Sequence, residues 1–579
     1  MTRIKTLLAF VYDENKANEI APRAQALMAK YATRLAARTR APIDERTALL
    51  ITYGDQVRLW VGAEPGSAPT QSSAPTQSST PAQSSLETLA EFLNAHTREI
   101  ISGVHLLPFY PYSSDDGFSV MDYYAVDEKL GTWADVARMG EHFDLMFDAV
   151  INHASVKGEW FQKFLRDESP HNDFFFTVTN EFDTSKVVRP RALPLLTAFE
   201  TAAGKKWVWT TFSADQADLN YQNPELLLQI LEVLLFYVAR GARFLRLDAI
   251  AFLWKASGTP CLHLPQTHAV IQFFRAALKA SAPDVILVTE TNVPHVDNLS
   301  YFGDGTNEAQ WVYNFALPPL TLHTLQTGDA TKLARWAKTL QTPSNETSFF
   351  NFLASHDGIG LNPARGILSD AEIDALVART LERGGLISYK NNPDGTASPY
   401  EMNINYLDAL TALNEAEEIS NARFLCAHAI QLSLAGVPGI YFHSLFGSRG
   451  DRAGADVSGI ARRINRQKLT RAELERALAD PSSRRAKIFT RLAELLRVRG
   501  QRRAFHPHAA QEILLQDARV FAVSRSNENE RVLCLHNVTD AHIRFVLPRA
   551  REWKNLFSGA AQRAEAIELA PYEIAWLAA

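Results

Sequence analysis

The sequence predicts an α/β fold: a (β/α)8 TIM barrel with two inserted subdomains and a C-terminal antiparallel β domain. Three observations predict it. Eight short apolar runs recur at 48–53, 103–109, 143–153, 242–250, 285–291, 310–315, 349–357 and 438–443. Runs apolar at nearly every position mark strands buried on both faces, as in a parallel sheet. Helical spacing of apolar residues separates most of them, at 86–94, 133–141, 224–240, 267–281 and 422–435. Several runs also end in ionisable side chains, where a barrel of this kind gathers its reactive groups.

The elements follow in chain order. Residues 1–47 read as a helical extension, because Ile20, Ala24, Leu27, Met28, Tyr31 and Leu35 recur at helical spacing in an alanine-rich stretch. The catalytic barrel is placed at 48–502. After its first strand, residues 68–85 repeat a hexamer (APTQSS, APTQSS, TPAQSS) that can bury almost nothing, so a mobile linker on the catalytic side is expected. Two connections are too long for barrel loops. The insertion at 154–212 carries Phe174, Phe175, Phe176, Trp207 and Trp209, and that at 358–420 carries the turn signal Asn391-Asn392-Pro393-Asp394-Gly395. The tail at 503–579 holds short alternating runs at 520–524, 531–535, 542–546 and 574–577, the pattern of a small antiparallel sheet.

Composition excludes several classes of function. With 579 residues, 46% hydrophobic and 21% charged, the chain is neither a small binding module nor disordered. Lys and Arg number 59 against 64 Asp and Glu, a net charge of −5, so no nucleic-acid partner is expected. Three cysteines, Cys261, Cys426 and Cys534, match neither a disulfide framework nor a zinc site and read as thiols in a reducing compartment. No apolar stretch has the length of a membrane span, so no membrane partner and a cytoplasmic location are expected. A lone chain and a homodimer are both compatible with the sequence.

The chemistry sits in three acids. Asp248, Glu290 and Asp357 each follow an apolar run, where a lone carboxylate is costly without a partner. Cleaving a glycosidic bond with retention needs a nucleophilic carboxylate and a protonated carboxyl facing it. Arg246, two residues before Asp248 and so on the same strand face, is expected to keep that carboxylate ionised. The acid should sit where burial raises its pKa.

The segments Asp148-Ala149-Val150-Ile151-Asn152-His153, Phe244-Leu245-Arg246-Leu247-Asp248-Ala249, the run ending at Glu290, and Ser355-His356-Asp357 resemble the four short sequence regions of the α-amylase family of glycoside hydrolases and transglycosylases. The resemblance implies Asp248 as nucleophile, Glu290 as acid/base and Asp357 as transition-state stabiliser, with His153 and His356 on glucosyl hydroxyls. Further segments are similar to the sucrose phosphorylase branch. By that similarity Asp115 would hold glucose hydroxyls, Phe118 would form an apolar platform, and Gln216 would contact sugar. Arg466 would pair with the stabilising aspartate and Arg191 would bind phosphate.

Residues 441–449 and 388–395 depart from ordinary sucrose phosphorylases and look more like glucosylglycerate phosphorylases, which yield α-glucose 1-phosphate and D-glycerate. An acceptor bearing a carboxylate suits the arginine-rich loop 444–468, in which Arg449 and Arg452 join Arg191 as candidate anion ligands. So does the phosphate of fructose 6-phosphate, which leaves sucrose 6-phosphate phosphorylase and sucrose phosphorylase open, with α-glucosidase or transglucosylase as a further alternative. The expected partners are a small sugar and inorganic phosphate as co-substrate, with no metal and no organic cofactor.

Overall fold

A computed structural model describes residues 2–35, 40–59, 83–392 and 395–579. The hexamer repeat lies outside the described residues up to 82; residues 83 and 84 lead into the helix Ser85–Thr97, whose N-cap Ser84 accepts from the Glu87 amide. Eight parallel strands close a barrel: β1 (Leu49–Thr52), β2 (Gly103–Leu106), β3 (Asp144–Ala149), β4 (Ala242–Leu247), β5 (Ile286–Thr289), β6 (Trp311–Tyr313), β7 (Ser348–Asn351) and β8 (Val437–Tyr441). Each falls within or overlaps one predicted run. Closure joins β1 to β8, with Leu49 opposite Gly439.

The barrel interior is filled by side chains. Trp311 stacks between Phe244 (4.8 Å) and Phe350 (6.0 Å), and a Cβ on Gly439 would lie 2.3 Å from the Phe350 ring, so only glycine fits there. On the outside, the helix Pro224–Ala239 has eleven of its sixteen residues buried. Its sequence is apolar nearly all round, and such a helix must be covered on both sides. The N-terminal helices Thr2–Val11 and Glu14–Leu35 supply the outer cover, burying Ile4, Leu8, Ile20 and Ala24, while the Tyr12 hydroxyl donates to the Tyr221 carbonyl at 2.9 Å.

Between β3 and β4 the chain forms a small antiparallel sheet (Thr177–Val178, Leu196–Thr201, Gly204–Trp209) and a two-stranded ladder of His153–Ser155 with Gln216–Asp218. The excursion therefore runs past the expected end at 212, because residues 216–218 return to pair beside the strand that left the barrel. The second excursion holds the helix Asp370–Glu382 and the hairpin Leu386–Asn391 with Ala397–Asn403. The tail forms a six-stranded antiparallel sheet. Two of its strands, Ala510–Leu514 and Ala561–Leu569, have partly exposed faces and gave no apolar signal.

The seam between β1 and β8 is fastened from the last barrel helix. Arg499 is buried, and its guanidinium donates to the carbonyls of Thr47 (3.4 Å) and Gly436 (3.1 Å), the residues just ahead of the two strands. No helix among the described residues is long and apolar enough to cross a membrane.

Candidate active site

The pocket lies where the strands end. Asp248 follows β4, Glu290 follows β5, and Asp357 lies six residues beyond β7; all three line it, together with Asp115, Phe118, His153, Gln216, His356 and Arg191. Four of the predicted residues do not line it. Arg246 and Arg466 stand directly behind it, and Arg449 and Arg452 lie elsewhere.

Arg246 is a buried hub. Its Nη1 donates to Asp248 Oδ1 at 2.8 Å and to Asp148, and its Nη2 is 3.9 Å from Glu290 Oε2. Asp148 is also bonded to His105 at 2.8 Å, and although burial pushes its pKa up, Arg246 and His105 bring it below the ordinary value. The guanidinium is thus shared between Asp148 and Asp248, and at Asp248 it favours the charged form against burial. There burial dominates, Arg246 and His153 oppose it without overcoming it, and the pKa lies above the ordinary carboxylate value.

Glu290 is displaced furthest. Burial is the main cause, Arg246 opposes it, and the charges of Asp248 and Asp357 add to it, so its pKa is pushed up to about 7. Its Oε2 accepts the Ala249 amide at 3.1 Å, an N–H aimed by the left-handed backbone of Ala249 (φ 49°, ψ 31°) directly after Asp248. Asp357 goes the other way. Burial would raise it, but Arg462, His356 and Arg466 together hold it below the ordinary value.

The wall opposite is hydrogen-bonded throughout. Gln216 Nε2 donates to Asp115 Oδ2 (3.3 Å) and to the Phe118 carbonyl (3.1 Å), and His153 Nε2 donates to the same carbonyl at 2.8 Å. The Phe118 ring stacks on His356 at 4.8 Å with an interplanar angle of 4°. Burial keeps the His356 imidazole neutral, with its pKa pushed down to about 3.

The arginines are distributed differently from the expectation. Arg462, which sequence reasoning passed over, lines the pocket and pairs with Asp357 at 2.7 Å, while its Nε and Nη2 take both oxygens of the buried Glu401 at 3.0 and 2.9 Å. Arg466 is 3.5 Å from Asp357 and is bonded more closely to Asp116 (2.7 Å) and to the His356 carbonyl (3.0 Å). Arg449 instead pairs with Asp408 at 2.8 Å, and Arg452 with Asp456 at 2.9 Å on an exposed helix turn. Arg191, from the first excursion, reaches the pocket and has no ion pair among the described residues. The one available signal for Arg462 was its place four residues before Arg466, one helical turn away.

The family model described as Alpha amylase, catalytic domain, matches residues 99–361, a stretch that holds all three carboxylates. A glucosylglycerate phosphorylase of Allomeiothermus silvanus is 52% identical over 92% of this chain and 91% of its own. The chain belongs to the alpha-amylase family. Within that family it is also 44% identical to a glucosylglycerate phosphorylase of Escherichia coli, over 92% of each chain. The solved structure of sucrose 6F-phosphate phosphorylase from Thermoanaerobacter thermosaccharolyticum shares its fold, with a TM-score of 0.72 at 24% identity, over 86% of this chain and 95% of that one.

One further alpha-amylase family segment is explained by a cation of the chain itself. Asn152 donates to the buried Asp218 at 3.1 Å, and the Lys255 ammonium, equally buried, meets Asp218 at 2.7 Å and Asn152 Oδ1 at 3.4 Å.

Proposed function

We propose that this chain is a retaining α-glucoside phosphorylase that converts glucosylglycerate and phosphate to α-glucose 1-phosphate and D-glycerate. The observation that carries the chemistry is the pair of carboxyls at adjacent strand ends: Glu290, whose pKa burial pushes up to about 7, stands beside Asp248, which accepts a hydrogen bond from the Arg246 guanidinium at 2.8 Å. A carboxyl kept protonated by burial beside one that a guanidinium favours in its charged form divides into an acid and a nucleophile. The choice of glycerate is supported by the named activity of the 44–52% identical relatives.

In this reading Asp248 Oδ attacks the anomeric carbon as the bond to the glycerate oxygen breaks, and Glu290 gives that oxygen its proton. A β-glucosyl ester on Asp248 remains. A hydrogen phosphate oxygen then attacks the same carbon, its proton returns to Glu290, and Asp248 leaves as a carboxylate. Two inversions give net retention. Asp357, held ionised by Arg462, faces the positive charge that develops on the ring, and Arg191 supplies a planar fork for phosphate or the glycerate carboxylate. The reading needs inorganic phosphate as co-substrate and no metal or organic cofactor.

The test is phosphate release from α-glucose 1-phosphate with D-glycerate, fructose, fructose 6-phosphate, glycerol or no acceptor. Release that requires D-glycerate supports the proposal; release that requires a fructosyl acceptor moves it to the sucrose branch, and equal release without acceptor makes the chain a hydrolase. Replacing Asp248 by Asn should abolish turnover, and retained phosphorolysis would remove it from the nucleophile's place.

A further inference from the structure

The loop that carries Asp115 and Phe118 is held in an unfavourable backbone form. Asp115 (φ 53°), Asp116 (φ 48°) and Gly117 (φ 113°) are consecutive left-handed residues. Glycine is required at 117, where a Cβ would lie 2.7 Å from the Pro108 carbonyl oxygen. The two aspartates have less of that freedom: aspartate visits this region as a single residue, and two in succession persist only where their surroundings hold them. The flanks of the loop are anchored by one carboxylate, Asp215, which accepts from Ser113 (2.5 Å), Ser114 and Ser119 (2.9 Å).

Its tip is held by another group. Asp116 does not line the pocket; its carboxylate points to the loop after β8, accepting from Arg463 Nη2 (2.8 Å), Arg463 Nε (3.3 Å) and Arg466 Nη1 (2.7 Å). Arg466 is the same side chain that grips the His356 carbonyl, and His356 is the ring on which Phe118 stacks. The ion pairs therefore bind the tip of the loop to the far side of the glucosyl pocket.

We propose that Asp116 is the positioning residue of this pocket: gripped by Arg463 and Arg466, it holds residues 115–117 in their left-handed form and so sets Asp115 and Phe118 against the glucosyl unit. The inference rests on the glucosyl-transfer reading but not on the identity of the acceptor. Both glucosyl donors use this wall, whereas phosphate and D-glycerate approach from the side of Arg191.

The experiment compares Asp116→Ala, Asp116→Asn, Asp116→Gly and Arg463→Met with the full-length wild type. For D116A the KM for α-glucose 1-phosphate and for glucosylglycerate should each rise at least tenfold, with the KM for phosphate and D-glycerate changed less than threefold. D116G, which takes left-handed backbone freely, should recover at least threefold of that loss, and D116N should lie nearer the wild type. R463M should raise the donor KM at least threefold, and adding it to D116A should cost less than it does alone; R463M and D116N carry the test should D116A not fold. A folded D116A with donor KM values within twofold of the wild type, or with donor and acceptor values raised alike, overturns the proposal. Should the wild type prefer water or another acceptor, the KM for α-glucose 1-phosphate still decides. Should it not turn over at all, calorimetric titration with glucose reads the same pocket, and no binding by the wild type overturns the proposal.

Discussion

Replacing Glu290 by Gln keeps the shape of the side chain and removes its titration. The wild-type carboxyl titrates at about 7 instead of 4.5, and its side chain is only 13% exposed, so solvent screens the effect little. At about 1.36 kcal/mol per pH unit the displacement comes to about 3 kcal/mol. Because the folded-state pKa is raised, the folded chain binds the proton more tightly than the unfolded chain between pH 4.5 and 7. Stability from this group is therefore complete below that window and falls as the pH rises through it.

Glutamine carries no such dependence, so E290Q should gain about 3 kcal/mol on the wild type between pH 4.5 and pH 8. For 579 residues, at about 2.1 cal/mol/K of unfolding entropy each, this is a relative rise in Tm of about 2–3 °C. Paired thermal unfolding at the two pH values reads it. The activity profile gives a second reading: kcat/KM for glucosylglycerate should fall above pH 7 in the wild type as the acid loses its proton, while E290Q should lose that limb and about 100- to 10,000-fold in rate. A Tm difference independent of pH, or an alkaline limb that survives in E290Q, would refute the reasoning.

Two further outcomes follow from the site. Arg191→Ala should raise the KM for phosphate about 10- to 100-fold, the equivalent of a lost charge-assisted hydrogen bond, with the KM for the glucosyl donor little changed; steady-state kinetics with phosphate varied checks it. Lys255→Met leaves the buried Asp218 charge without its cation and should cost about 3–5 kcal/mol. Thermal unfolding reads the loss, and adding Asp218→Asn should recover most of it.

The barrel strands were legible because burial on both faces leaves a period-free apolar run, as in the sequence Ala-Arg-Phe-Leu-Arg-Leu of β4, where the two arginines interrupt without hiding it. The three carboxylates were legible for the same reason, as charges directly after such runs. The arginines were not. Arg449, Arg452, Arg462, Arg463 and Arg466 look alike in sequence, yet of these five only Arg462 lines the pocket, while Arg463 and Arg466 grip Asp116 and Arg449 and Arg452 pair with Asp408 and Asp456. Glu401 was equally silent, because a carboxylate in a hairpin gives no sign that a guanidinium from a later loop will bury it. The upward shift of Asp248 comes chiefly from burial, with the charge of Asp148 across the strand adding to it, and no local pattern encodes either.

Closing the barrel through its first and last strands has a consequence for synthesis. Leu49 pairs with Gly439, so β1 acquires its second neighbour only after about 390 further residues have been made. At about 5–20 residues per second, that edge stays open for about 20–80 s on the ribosome. During this time a row of unpaired amides and carbonyls on an apolar strand is available to any other nascent chain. At four residues, Leu49–Thr52, the strand offers a stray partner little to zip along. The Arg499 clamp comes later still, so in a chain cut short before β8 the brevity of this strand is what protects its open edge, because none of the contacts that would close it have been made.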